Sequence, residues 1–461
     1  MITRLALRSL ATRPLRTIVL AVGFGLGVAV MAILLGVGEV VLQEAQSPAL
    51  QGGGDIVVSG AAGAIDNARF AAASVISQAQ TGGQVVAASP WKRASIYLMM
   101  PRQPWQVQAR GGVPSLERGI GDREIAGVPG WVDEPGDRRW TSAAPGELLR
   151  AMDRFHAIPD LPEFAGSWAE WLYFNARAAD GRTSFYLTFM VGPRSSPGRR
   201  RASVRLQLQR DEESANFSAA ADIDEASVLA HAPDLDIGGN QVRLVGSQYQ
   251  IALQLRREGA GDPFTGTLTL DPDPGRSVPP LTMRGARGWV SGYTVPVLSG
   301  AMRGTLDGRA IALIGYHDHN WGFWDGVRWQ WGQVAHDNLS FVYGRVFPPA
   351  AVAESERVPG FLGVLGPEGV IGVATRVSIA ERGEDGGGRG APRQVDIAAR
   401  GTDLDLRLAF TVERSIRTPF GLTGSELPLD FLQLAGTYHV SGRAAGRSID
   451  FTSRGAAETF R

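Results

Sequence analysis

Hydrophobic patterning divides the chain into three regimes. Thr17 to Gly38 is an uninterrupted run of 22 residues without a charge, preceded by Arg4, Arg8, Arg13 and Arg16 and followed by Glu39 and Glu44. As a helix such a run reaches about 33 Å, enough to cross a hydrocarbon core. The arginine excess predicts a cytoplasmic N-terminus at a bacterial inner membrane, with the bulk of the chain on the periplasmic side. A cleaved signal peptide is the alternative, but it would carry a shorter apolar region and a small-x-small site, which does not follow Gly38. Between about 43 and 165 the pattern is weak. A short helix is expected over 65–80, and the run Gly146 to His156 has Leu148, Leu149, Met152 and Phe155 at helical spacing. There His156 would partner the helix C-terminus.

After Gly166 the period becomes two. Ser184 to Val191, Ser203 to Gln209, Tyr249 to Arg256 and Thr265 to Leu270 alternate apolar with polar, and Asp403 to Phe410, Gly436 to Ser441 and Arg447 to Thr452 repeat the pattern. Asp180-Gly181, Asp307-Gly308 and Asp325-Gly326 supply turns, and Glu384 to Gly390 reads as a loop. The expected organisation is a basic cytoplasmic segment (1–16), a transmembrane anchor (17–41), a linker with short helices (42–165) and two antiparallel β units. These span 166–346 and 347–461, divided at Phe347-Pro348-Pro349. The fold class is all-β, preceded by one transmembrane helix.

Composition narrows the function classes. Lysine plus arginine and aspartate plus glutamate are equal at 46 each, so no polyanion partner is expected and nucleic acid is excluded as a general ligand. Cysteine is absent, which removes thiolate chemistry, Cys-ligated zinc and disulfides. No P-loop, nucleophile elbow or zincin motif appears, and no cofactor is implied. Gly23, Gly25 and Gly27 sit inside the apolar run with no strand before them, so they are not a nucleotide fingerprint. Gly23 with Gly27, and Ala32 with Gly36, form small-xxx-small pairs suited to packing on another membrane helix.

Candidate chemistry concentrates in Ile314 to Phe347, which holds three of the six histidines and four of the eleven tryptophans. On a strand, His317, His319 and Trp321 face one side while Tyr316, Asp318 and Asn320 face the other; Trp329 and Trp331, then Tyr343 and Arg345, share faces of following strands. Three readings stand side by side: an aromatic core with hydrogen-bonded histidines, a metal site from His317, His319 and His336, or an aromatic-walled pocket for an apolar ligand. A pocket of the last kind suits acid–base attack on an alkene, with Trp and Tyr faces stabilising a carbocation.

Two resemblances follow from quoted stretches. Trp168 to Phe189 (WAEWLYFNARAADGRTSFYLTF), Gly315 to Trp324 (GYHDHNWGFW) and Ser448 to Arg461 resemble the signatures of the AttH-type lipocalin-like family, which includes carotenoid 1,2-hydratases (hydroxyneurosporene synthases). The resemblance implies two consecutive calycin-like barrels with a site in or between them, binding an isoprenoid or other lipid, and a hydro-lyase or cyclase activity. It assigns catalysis to His319, Trp321 and Tyr343. Gly344 and Arg345 stand where the family has an acid, leaving Asp318 and Asp337 as nearby carboxyls; His319 and Asp318 are the catalytic acid–base candidates, with Trp321 and Tyr343 as cation stabilisers. Glu170, Trp171, Tyr173 and Asn175 match the opening signature, as strand packing or as ligand contacts; His317, Asn320, Trp324, Trp329, Trp331, His336 and Arg345 complete the expected ligand-binding set. Leu5 to Val41 is similar to the first membrane helix of FtsX-like ABC permeases, which implies a permease partner and an accessory role in lipid or lipoprotein export.

Overall fold

The computed structural model describes residues 56–58, 87–99, 104–122, 128–137, 144–355, 358–367, 369–383, 390–401, 404–420 and 429–460, with scattered positions between 14 and 37. Those scattered positions, among them Val22, Phe24, Leu26 and Met31, are helical and exposed; the rest of the predicted anchor lies outside the described residues. Among the described residues no helix is long and apolar enough to cross a membrane. The helix expected over 65–80 and the loop at 384–389 also lie outside them.

The chain forms two units, one of residues 1–59 and 87–133, the other of 60–86 and 134–461. In the first, strands β1 (Trp91–Met99) and β2 (Pro104–Gly112) form an antiparallel hairpin, followed by helix α1 (Pro114–Gly119). Arg110 holds the buried carboxylates of Glu117 and Asp122 at 2.6 Å each.

In the second unit helix α2 (Pro145–Met152) precedes the strands, and its Pro145 occupies the first turn, where its missing N–H costs nothing. A meander follows: β3 (Trp168–Arg177), β4 (Thr183–Ser196), β5 (Arg199–Arg210), β6 (Glu213–Asp224), helix α3 (Glu225–His231), β7 (Leu235–Ile237), β8 (Asn240–Val245), β9 (Gln248–Arg257), β10 (Pro263–Pro272), β11 (Val278–Arg284), β12 (Val290–Leu306) and β13 (Arg309–Phe323). Eight of these close a barrel in the order β3-β4-β5-β6-β9-β10-β12-β13, with β13 pairing back onto β3. First and last strands meeting in an up-and-down meander is the lipocalin-type closure, and it removes free edges. Its interior is filled by residues such as Leu172, Phe174, Phe189, Leu206, Leu253 and Met302.

Strands β14 (Arg328–His336), β15 (Leu339–Phe347), β16 (Phe361–Gly366), β17 (Gly369–Ala374), β18 (Arg376–Arg382), β19 (Gln394–Arg400), β20 (Leu404–Phe420), β21 (Leu429–Ala444) and β22 (Arg447–Phe460) build a second sheet of nine strands. It is joined through β14–β22, and β17 and β18 are its two end strands. A Cβ placed at Gly360 would lie 3.3 Å from Val377 Cβ, so the gap is narrow and this barrel is nearly closed. The architecture is therefore all-β with one closed and one nearly closed barrel.

Sheet membership divides the barrels at Trp324–Val327, not at Phe347-Pro348-Pro349. Both edges of β13 are already taken, by β12 and β3, so the strand after Asp325-Gly326 has no ladder to join there and starts the second sheet. Asp307-Gly308 does form the expected two-residue hairpin, with φ of 53° and 73°.

Candidate functional site

Alternation along β13 sends its side chains to two separate environments. His317 and His319 are fully buried, with His317 stacked on Phe174 of the barrel core at 4.1 Å between ring centres. Tyr316, Asp318 and Asn320 point towards the second barrel.

On the histidine side, Asp153 is the organising group. It is the residue at which α2 ends, its N–H bonding the Leu149 carbonyl at 3.0 Å. Tyr249 donates to its Oδ2 at 2.5 Å, and His317 Nε2 lies 2.9 Å from the same oxygen. His317 Nδ1 faces the Tyr173 carbonyl at 3.0 Å, and because a carbonyl only accepts, that nitrogen donates. His319 bridges two carboxylates, with Nε2 3.0 Å from Glu170 Oε1 and Nδ1 3.3 Å from Asp153 Oδ1. The second is an ion-pair contact without hydrogen-bond alignment. His156 lies beyond the end of α2 rather than capping it: its ring meets Glu170 at 2.7 Å and stacks on Trp321 at 4.5 Å, while its N–H bonds the Glu170 carboxylate. Burial alone would neutralise these groups. For His319 it pushes the pKa down, but the close contacts and charges of Asp153 and Glu170 outweigh it and raise the ring to about 9. Burial likewise opposes ionisation of Glu170, yet His156 and His319 bring it down to about 2; Asp153 is lowered further by His317 and His319. Ligand atoms of His156, Glu170 and His319 lie within 4.8 Å of one another, the one such grouping among the described residues. Imidazole–carboxylate pairing accounts for that grouping through protons.

The other side of β13 opens into a cavity of about 490 Å³ between the barrels. Trp171, Trp324, Trp329, Trp331, Phe361 and Phe431 supply aromatic walls; Tyr173, Asp318, Asn320, Arg345 and Glu458 supply polar groups. A line of contacts runs from Trp331 Nε1 to Tyr293 Oη (2.7 Å), to Tyr316 Oη (3.1 Å), to Asp318 Oδ2 (2.8 Å), while Asn320 donates to Asp318 Oδ1 at 2.7 Å. Desolvation and the neighbouring Glu458 push Asp318 well above the usual carboxylate range despite these bonds. Burial also pushes Glu458 up to about 7, against hydrogen bonds from Tyr173 and Trp329. The cavity thus holds a neutral carboxylic acid and a second carboxyl poised near neutrality, facing aromatic surfaces.

Sequence expectations distribute unevenly over these two places. The structure brings Asp318, Asn320, Trp171, Tyr173, Trp324, Trp329, Trp331 and Arg345 to the cavity wall. His317, His319, Glu170 and Trp321 lie in the buried network, and Asn175 sits behind the cavity near Gln333. Tyr343 belongs to the second barrel's core, its hydroxyl 3.0 Å from that of Tyr438. His336 stacks on Phe451 at 4.3 Å, so a His317–His319–His336 metal triad is not assembled. Sequence reasoning missed Asp153, Tyr249 and Glu458. For Glu458 a signal existed: it is the one charged residue in Gly455 to Phe460, GAAETF.

Neither a family model nor a curated protein sequence matches this chain. Solved structures similar to it include an AttH protein from Nitrosomonas europaea (14% identity, TM-score 0.43, covering 66% of this chain and 97% of that one). Others are CghA with Sch210972 (11%, 0.41, 68% and 94%) and kievitone hydratase from Nectria haematococca (13%, 0.43, 64% and 89%). Likeness at this level leaves the activity to be read from the chain's own cavity.

Proposed function

We propose that the chain is a membrane-tethered, AttH-type lipocalin-like protein that binds an acyclic isoprenoid or similar lipid between its barrels and hydrates or cyclises it by protonating an alkene. One observation carries the proposal: the buried acid Asp318 stands in the lining of a cavity that also presents four indole and two phenyl side chains. A carboxylic acid kept neutral by burial can donate a proton at neutral pH. The π faces of Trp171, Trp324, Trp329 and Trp331 then attract the positive charge that develops on carbon. In this reading His319 and Trp321 act from behind β13 as a rigid charged support, and the aromatic stabilisers are the cavity tryptophans. The apolar stretch before Glu39 would keep the cavity close to the bilayer that supplies the ligand.

The test uses the full chain purified from membranes. Lipid extracted from it is identified by mass spectrometry, and geranylgeraniol, an acyclic isoprenoid with a terminal trisubstituted alkene, is offered as substrate. Wild-type protein is expected to quench its tryptophan fluorescence on binding and to form a tertiary alcohol or a ring. An Asp318→Asn variant that turns over at the wild-type rate would remove the assignment.

A further inference from the structure

We propose that Glu458 is the general base of this site, drawing a proton from the water that attacks the cation Asp318 creates. The inference rests on the alkene-protonation reading and divides its chemistry between two carboxyls on different barrels: Asp318 comes from β13, and Glu458 from β22, the last strand of the chain.

Geometry places both on one cavity wall, together with Tyr173. Glu458 lines the cavity; Tyr173 and Trp329 act on its carboxyl as hydrogen-bond donors, and its Oε1 has no hydrogen-bond partner among the described residues. Directly across the β21–β22 ladder, Gln433 repeats the pattern: it is buried, its Nε2 donates to Tyr173 Oη at 3.2 Å, and its Oε1 has no partner among the described residues. Two neighbouring acceptors without partners, one from each strand, suit a water that enters the cavity and donates two protons. Burial and the neighbouring charge of Glu458 outweigh the pull of His319 and hold Asp318 neutral, while Glu458, at about 7, is ionised in a large fraction of molecules at neutral pH. Environments that separate two carboxyls in this way assign acid and base.

Atoms balance as follows. The Asp318 O–H bond breaks and its proton forms a C–H bond at the less substituted alkene carbon, leaving the cation on the tertiary carbon. Water forms the C–O bond and loses one proton to the Glu458 carboxylate. One proton must then return from Glu458 to Asp318 through solvent entering the cavity, so the net reaction adds one water and needs no other reagent.

Deuterium separates the two roles. In D2O with geranylgeraniol, wild-type protein is expected to give the tertiary alcohol with one deuterium on the adjacent carbon. Glu458→Gln should form it at least 100-fold more slowly, the size of a lost general base. Because Asp318 still protonates the alkene and takes the proton back, deuterium should wash into recovered substrate. Asp318→Asn should show neither alcohol nor wash-in, and Glu458→Asp should recover part of the alcohol rate. Fluorescence quenching checks that each variant still binds. A Glu458→Gln protein that hydrates within threefold of wild type, or that binds but loses wash-in together with hydration, overturns the role of Glu458 and leaves the alkene-protonation reading standing. A wild-type protein that binds and turns over nothing overturns both.

Discussion

Asp318 and His319 are neighbours in sequence, and opposite faces of one strand keep the first uncharged and the second charged. Asp318 faces a cavity with no opposing cation at hydrogen-bond distance among the described residues, so desolvation wins and the acid stays neutral; His319 sits between two carboxylates, so charge pairing wins and the ring stays protonated. Two predictions belong at this scale. Asp318→Asn should retain ligand binding and lower turnover by about two orders of magnitude or more, read as kcat at saturating ligand. Activity should also fall as pH drops below about 7, because Glu458, pushed up to about 7, is then protonated and cannot accept; in Glu458→Gln this acidic limb should be missing from the pH profile. The cavity residues could be nominated from sequence because strand alternation alone separates Asp318 from His319. Glu458 was not legible as a partner, since 140 positions separate it from Asp318 along the chain and only barrel closure brings β22 beside β14.

At the scale of elements, α2 is fastened across one end of the first barrel. Arg150 reaches the Leu244 carbonyl at 2.7 Å and Asp234 at 3.2 Å, Leu149 and Phe155 pack into the barrel core, and Asp153 ties the helix end to β9 and β13 through Tyr249 and His317. Removing one partner of a buried pair strands the other, which costs about 3–5 kcal/mol. Asp153→Ala is therefore expected to lower stability by that order and to speed hydrogen exchange over 145–156. The same network sets a pH window. Glu170, lowered from 4.5 to about 2, contributes stability fully above about 4.5 and loses it as pH falls towards 2. His319, raised from 6.5 to about 9, contributes fully below about 6.5 and loses it as pH rises through 9. Resistance to denaturant should peak between these limits and decline from pH 6.5 to 9.5, a decline that His319→Gln abolishes. On β12, Gly292 stands opposite Trp321, and a Cβ there would fall 2.0 Å from the indole. Gly292→Val should therefore destabilise the barrel, measured by thermal unfolding. The helix at 146–156 was legible from its spacing, but its early end was not: the periodicity continues to Phe155, while the chain turns at Asp153 because the carboxylate is taken by β9 and β13.

For the whole molecule, the barrels meet where β3, β12 and β13 oppose β14, β21 and β22, through Trp331, Gln333 and Gln433 bonding to Tyr293, Asn175 and Tyr173. A site shared between barrels needs both to be present. Trp331→Ala, which deletes one cavity wall and the bond to Tyr293, should weaken ligand binding by tenfold or more in fluorescence titration while each barrel keeps its own core. The proposed tether belongs to this scale too. Deleting residues 1–41 should release the protein from the membrane fraction with ligand affinity in detergent unchanged, and a permease partner gripping that segment would co-purify with the full chain only.

The sequence by itself determined the class of the fold and the sidedness of its strands, because a period of two is a local property that any antiparallel sheet must respect. It also determined which motif carried the aromatic and acidic groups. Tertiary structure alone decided that β14 and β15 belong to the second barrel, that the cavity lies on the Asp318 side of β13, and that His156, Asp153 and Glu170 enclose His319. Those outcomes depend on which strand edges remain unpaired and on which distant residues meet when the barrels close. Neither is encoded in the local alternation of apolar and polar positions.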